Sequence, residues 1–120
     1  MCEASGAVPH WLLYVADMIE FAEKVLAYPE GMELDGFIAD AHTYDATLHN
    51  IELIGEAARH VPESVRDDHP DIPWRRIIGT RNRVAHGYLG IDDDVIGDII
   101  RSEVPDLLDK LRSLLPSSKR

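Results

Sequence analysis

The chain has one cysteine, Cys2, beside its start, which excludes an internal disulfide and any zinc site built on cysteine. That usage suits a reducing compartment. No apolar run reaches the roughly 18 residues of a membrane-spanning helix, and the N-terminus lacks the basic patch and continuous apolar stretch of a signal peptide. A cytoplasmic protein without a membrane partner is expected. Strand-like alternation, internal repeats, phosphate-cradling glycine loops and G-x-S-x-G elbows are all missing. Positive charge is scarce as well: 12 Lys and Arg against 22 Asp and Glu give a net charge of −10, so the molecule as a whole should repel nucleic acid. Aromatic residues interleaved with basic ones, the pattern of single-strand binders, are represented only by Trp74 and Tyr88.

What is present is enough to fold. Hydrophobic residues at 45% and charged ones at 28% describe a chain too apolar for disorder, and 120 residues make one domain, 1–120, with a polar tail from about Pro116. The basic charge is unevenly spread. Arg59, Arg66, Arg75, Arg76, Arg81 and Arg83 put half of all Lys and Arg into the 25 residues that end just before His86, with Asp92, Asp93, Asp94 and Asp98 following. A solvated surface with incidental clustering would look the same from composition alone.

Apolar residues at steps of three and four, Trp11, Leu12, Val15, Met18, Ile19, Ala22, Val25 and Leu26, predict an amphipathic helix from Pro9 to Tyr28. Pro29 and Gly31 stop it, and Gly36 loosens the linker. A long central helix is expected from Phe37 to Val61, with Ile38, Ala41, Leu48, Ile51, Ile54, Ala57 and Ala58 as its apolar stripe. Gly55 within it costs about 1 kcal/mol against alanine, which points to close helix packing. Pro62 ends the run, Glu63 to Asp68 reads as a short helical turn, and Pro70 and Pro73 make an irregular corner that Trp74 is suited to anchor. A further helix from Trp74 carries Ile77, Ile78, Val84, Ala85 and Leu89 and breaks near Gly87 and Gly90. Asp92 or Asp93 can cap a last helix through Leu115, buried along Val95, Ile96, Ile99, Ile100, Val104, Leu107, Leu108 and Leu111 and kinked at Pro105. The fold class expected is an all-α, up-and-down bundle of four to five helices.

Chemistry concentrates in Arg81 to Tyr88, R-N-R-V-A-H-G-Y. Arginine is a permanent cation with a forked set of donors, and histidine exchanges a proton near neutral pH, so the pair suits phosphate chemistry. On a helix advancing about 100° per residue, Asn82 and His86 share a face and Arg81 and Tyr88 another, while Arg81 and His86 stand about 140° apart. They converge if the helix end distorts, if the arginine bends across, or if a second copy of the chain supplies the partner across a two-fold axis. Transesterification of RNA favours two copies, because one group must take the 2′-hydroxyl proton while another protonates the leaving 5′-oxygen. Two copies of His86 can divide those roles, with Arg81 stabilising charge on the transition state and no metal required. Asn82 would orient the substrate or the imidazole, and Tyr88 could add a hydroxyl contact. An Arg and a His near a helix end can equally just bond terminal carbonyls and complement the helix dipole.

A second stripe, His42, Asp45, His49, Glu52 and Glu56, recurs at steps of three and four along the central helix. Such spacing can build a divalent metal site in a bundle, but no E-x-x-H or H-E-x-x-H occurs, and a solvated or inter-subunit polar face fits better. It could form a wall of the motif's cleft.

Ile72 to Tyr88, I-P-W-R-R-I-I-G-T-R-N-R-V-A-H-G-Y, resembles the signature of the HepT-like family within the HEPN superfamily, and Asn50 to Ala58, N-I-E-L-I-G-E-A-A, resembles its central-helix segment. The resemblance runs from Trp11 to Leu115. It implies an all-helical homodimer whose paired R-x4-6-H motifs form a composite, metal-independent ribonuclease site needing no cofactor. It further implies a type VII-like toxin–antitoxin pair, in which a minimal nucleotidyltransferase antitoxin silences the toxin in some systems by transferring AMP to the tyrosine of R-x4-H-x-Y. Carried over, Arg81 and His86 match the catalytic pair, Asn82 the supporting polar residue and Tyr88 the AMPylated tyrosine. The sequence departs at Gly87, where relatives often carry a larger residue. The expected activity is cleavage of single-stranded or loop RNA to a cyclic phosphate and a 5′-hydroxyl. The alternative is a non-catalytic helical subunit that binds a nucleotide or the nucleotidyltransferase through the same motif.

Overall fold

A computed structural model describes residues 9–87 and 93–116, with side chains described for 9–81 and 93–116. All regular structure among the described residues is helical. No helix there is long and apolar enough to cross a membrane.

Helix α1 spans His10–Ala27. Pro9 stands at its N-cap, where its carbonyl accepts from Leu12 N at 3.0 Å and its missing N–H costs nothing. Leu12, Val15, Met18, Ile19, Ala22 and Val25 are buried, matching the three-and-four spacing. Each of the larger ones contributes about 1.5–3 kcal/mol on full burial. The chain turns after Tyr28 through Gly31, whose φ of 83° is a left-handed conformation that favours glycine.

The expected central helix is in fact two. Helix α2, Leu34–Ala39, contains Gly36, which therefore lies in a helix rather than in the linker. Helix α3, Ala41–Arg59, begins anew after Asp40. At Asp40 the backbone leaves the helical region (φ −91°, ψ 94°), and the carboxylate accepts from Thr43 N at 3.1 Å, capping α3. A cap that satisfies a free N–H locally outweighs continuation of the apolar periodicity. The break also moves Ala41 out of the expected stripe and onto the surface, while Leu48, Ile51, Ile54, Ala57 and Ala58 are buried as expected. Phe37 is buried on α2 and packs at a tilt against Tyr44, with ring centroids 5.4 Å apart.

Helix α4, Glu63–Asp68, follows Pro62 and buries none of its residues. The proline corner after it is held by Trp74, which is buried and donates from Nε1 to His69 O at 3.0 Å. Lys110 Nζ ties the same corner to the end of the chain by donating to Asp71 O at 2.9 Å. Helix α5, Trp74–Gly87, then carries Arg81 to Gly87 of the motif on its C-terminal half.

The last expected helix also divides. Helix α6, Asp93–Asp98, leads into a π-helical turn, Ile99–Glu103, and then α7, Val104–Arg112, ending before Leu115. Val104 N donates to Ile99 O, five residues back. Pro105 has no N–H to give and its ring crowds the preceding turn, so the chain widens there; the kink takes the form of a π turn. The apolar side survives the widening: Ile96, Ile99, Val104, Leu107, Leu108 and Leu111 are buried. Helix α3 packs between α1 and α5, α7 packs on α1, and α2 covers part of α3. The long helical runs are α1, α3, α5 and the α6–α7 pair, supplemented by two six-residue helices, α2 and α4.

Candidate functional site

Helix α5 meets α3 at Gly55. A Cβ placed on Gly55 would collide with the Cβ of Arg81 and come within 2.9 Å of Arg81 Cγ and of Ile77 O. Only a residue without a side chain lets the two backbones approach this closely, as the position of a glycine inside a helix suggested. The approach brings the stem of Arg81 onto α3.

The head of Arg81 meets the next residue of α3. Its Nη2 lies 3.2 Å from Glu56 Oε1, with the arginine side chain 27% exposed and the glutamate 34%. Glu56 is shared. Arg59 donates from Nε to Oε1 at 3.1 Å, and His60 Nε2 lies 3.2 Å from Oε2. These partners stand three and four residues further along α3, one turn away on the same face. The Arg59 hydrogen bond is the largest influence on the Glu56 carboxyl; burial works against it, and His60 and the Arg81 charge add to it. Together they hold the carboxyl below its ordinary range.

Aromatic contacts extend the assembly onto α1. The Tyr14 ring stacks on His60, with centroids 5.1 Å apart and planes 18° from parallel. His10 meets Tyr14 edge-on at 5.5 Å. A line of contacts therefore runs from the start of α1 through the end of α3 to the motif arginine on α5.

Of the other motif residues, Asn82 and His86 lie on the helical backbone of α5, and their side chains are outside those described. Tyr88, Leu89, Gly90 and Asp92 lie outside the described residues, as do Cys2 and residues 117–120 of the tail. The helix continues unbroken to Gly87, so Arg81 and His86 stand five positions apart on one helix.

The basic cluster around the motif is largely paired with acids or carbonyls. Arg66 Nε donates to Val61 O at 3.1 Å, and Arg76 Nη1 lies 3.1 Å from Glu103 Oε1, above an apolar cleft formed by Ile51, Ile54, Ile77, Val104 and Leu107. The polar stripe on α3 meets the motif at one end. From His42 to Glu56 it runs about 21 Å at 1.5 Å per residue, and Glu56 is the member that reaches Arg81. Among the described residues no group of three or more His, Cys, Asp or Glu could hold a metal ion. Sequence reasoning did not assign Arg59, His60 and Tyr14 to the site. The first two were legible in principle from their three- and four-residue steps from Glu56; Tyr14 required the packing of α1 on α3.

Residues 18–114 match the family model described as Ribonuclease HepT-like. A protein named "Probable ribonuclease HepT" from Thermococcus cleftensis is 30% identical over 101 residues, covering 84% of this chain and 92% of its own. A "Putative RNase" of Methanocaldococcus jannaschii is 28% identical over 102 residues, 85% of this chain and 84% of its own. Another "Putative RNase", from Caldanaerobacter subterraneus subsp. tengcongensis, is 27% identical over 106 residues, 88% of this chain and 95% of its own. No solved structure matches the chain significantly. The helical architecture, the motif on α5 and the family match over most of its length agree, and the chain belongs to the HepT-like ribonuclease family.

Proposed function

We propose that the protein is a metal-independent RNA endonuclease that works as a homodimer, with Arg81 and His86 of both copies forming one site. The observation that carries this reading is the membership of the HepT-like ribonuclease family, joined to an arginine whose guanidinium is held at the α3–α5 crossing five residues before a histidine on the same helix. On one straight helix Arg81 and His86 diverge by about 140° and about 7.5 Å along the axis, which favours completion by a second copy. The 2′-oxygen attacks phosphorus and the bond to the 5′-oxygen breaks. One His86 takes the 2′-hydroxyl proton while the other, protonated, gives its proton to the 5′-oxygen. Arg81 balances the charge gathering on the phosphoryl oxygens. The products are a 2′,3′-cyclic phosphate and a 5′-hydroxyl, and no cofactor takes part.

Tyr88, two residues beyond His86, is the proposed point of control. AMP on its hydroxyl would bring a bulky anion beside Arg81 and His86 and compete with the substrate phosphate. A minimal nucleotidyltransferase antitoxin is the proposed partner, in a type VII-like toxin–antitoxin pair.

Purified, unmodified protein incubated with single-stranded and hairpin RNA in the presence of a chelator tests the reading. Cleavage that disappears in Arg81→Ala and His86→Ala supports it. Intact RNA over a range of pH, with His86→Ala behaving like the wild type in cells, overturns it and leaves the motif as a docking surface for the nucleotidyltransferase.

A further inference from the structure

Two consecutive residues of α3 grip the two ends of one side chain on α5. Gly55 receives the Cβ of Arg81, and Glu56 receives its guanidinium through Nη2 at 3.2 Å. An arginine on a helix surface ordinarily samples many rotamers, and fixing it costs side-chain entropy. Here that cost is met on folding. Crowding at Gly55 fixes how the stem leaves α5, and the carboxylate fixes where the head stops.

The carboxylate is itself held. Arg59 Nε at 3.1 Å binds the same oxygen that meets Arg81, and His60 Nε2 at 3.2 Å engages the other. Stacking against Tyr14 restricts the His60 ring. An unrestrained glutamate would follow the arginine as it moved; one pinned by two neighbours on its own helix works as a fixed stop.

We infer that Glu56 is a positioning residue, which orients the Arg81 guanidinium for a phosphodiester before RNA arrives. The inference rests on the ribonuclease reading of Arg81 and extends it to a residue outside the motif. Its physical content is pre-organisation: a donor already aimed at the phosphoryl group needs no reorganisation as charge develops there. A carboxylate this close to a guanidinium could instead compete with phosphate for it, and the two roles predict opposite effects of removing the charge.

Glu56→Gln keeps the shape of the side chain and removes its charge. In steady-state cleavage of a short single-stranded RNA, positioning predicts that kcat falls about tenfold while KM changes by less than about threefold. Glu56→Asp, which keeps the charge on a shorter arm, should recover part of the lost kcat. An unchanged or increased kcat in Glu56→Gln overturns the inference, an increase being the mark of a competitor for phosphate. A second readout does not depend on cleavage. In nitrogen-15 NMR of the full-length protein, the Arg81 guanidinium should show hindered rotation in the wild type and faster rotation in Glu56→Gln. Equal rotation in the two overturns the inference. If the wild type leaves RNA intact but the NMR difference is present, the ribonuclease reading fails and the Glu56 tie stands. Matching far-ultraviolet circular dichroism and a cooperative melt well above the assay temperature confirm that the variants are folded.

Discussion

Gly55 on α3 lies directly against the Cβ of Arg81 on α5, so a close approach of the two helices coincides with the residue that begins the R-x4-H motif. Helix packing and the role proposed for Arg81 thus meet at one crossing point, and a change made for either one disturbs the other.

Gly55→Ala should therefore destabilise the protein despite improving helix propensity. Alanine gains about 1 kcal/mol as a helix former. Its methyl group, however, would overlap the Arg81 stem and press on Ile77 O at 2.9 Å, one of them backbone that cannot simply rotate away. Overpacking of this kind costs about 1–3 kcal/mol. Urea denaturation should show a lower midpoint, accompanied by loss of any Arg81-dependent cleavage. A variant as stable and as active as the wild type would mean that the helices are further apart.

Asp40→Ala tests why the central segment is two helices. The Asp40 carboxylate accepts from Thr43 N at 3.1 Å and satisfies an amide that α3 leaves unpaired at its start. Losing it should cost about 1 kcal/mol in chemical denaturation, and Asp40→Asn should recover most of that. Equal stability of all three would show that solvent replaces the cap at no cost.

The contrast between Asp40 and Gly55 shows what the amino-acid pattern makes legible. Gly55 could be read because a glycine among Ile51, Ile54, Ala57 and Ala58 has no other use on a buried helix face. Asp40 could not, because the apolar spacing of Phe37, Ile38 and Ala41 runs across it and an aspartate between apolar residues looks like any solvated position. The division at Ile99–Glu103 was half legible: Pro105 announces a disturbance, but whether the helix bends, stops or widens depends on the surrounding core. Within the site, Arg81 was legible from its motif and Glu56 from its stripe. That these two meet follows from the α3–α5 crossing, which no local spacing encodes.

Thr47→Val should leave the protein at least as stable as the wild type. Thr47 is fully buried on α3, and its Oγ1 has no hydrogen-bond partner among the described residues. A hydroxyl in that position loses its water without compensation, whereas an isosteric methyl loses nothing. Thermal melting at neutral pH should give an equal or higher midpoint. A clear loss of stability would reveal a partner for the hydroxyl, such as a buried water.

The Glu56 tie should also be visible in how stability responds to pH. Arg59 above all, then His60 and Arg81, depress the folded-state pKa of Glu56 below its ordinary value of 4.5. An acid with a depressed pKa binds fewer protons folded than unfolded. Its contribution is therefore fully present above the ordinary value and is lost as pH falls through the lower, folded-state value. Comparison of the wild type with Glu56→Gln isolates this group from the other carboxylates. The wild type should be the more stable at neutral pH, and the two denaturation curves should draw together as the medium is acidified below the ordinary carboxylate range. Once Glu56 is protonated in both states, it differs little from glutamine. A gap that stays constant down through that range would mean that the effect of Glu56→Gln is steric. Charge at Glu56 would then not be what holds Arg81.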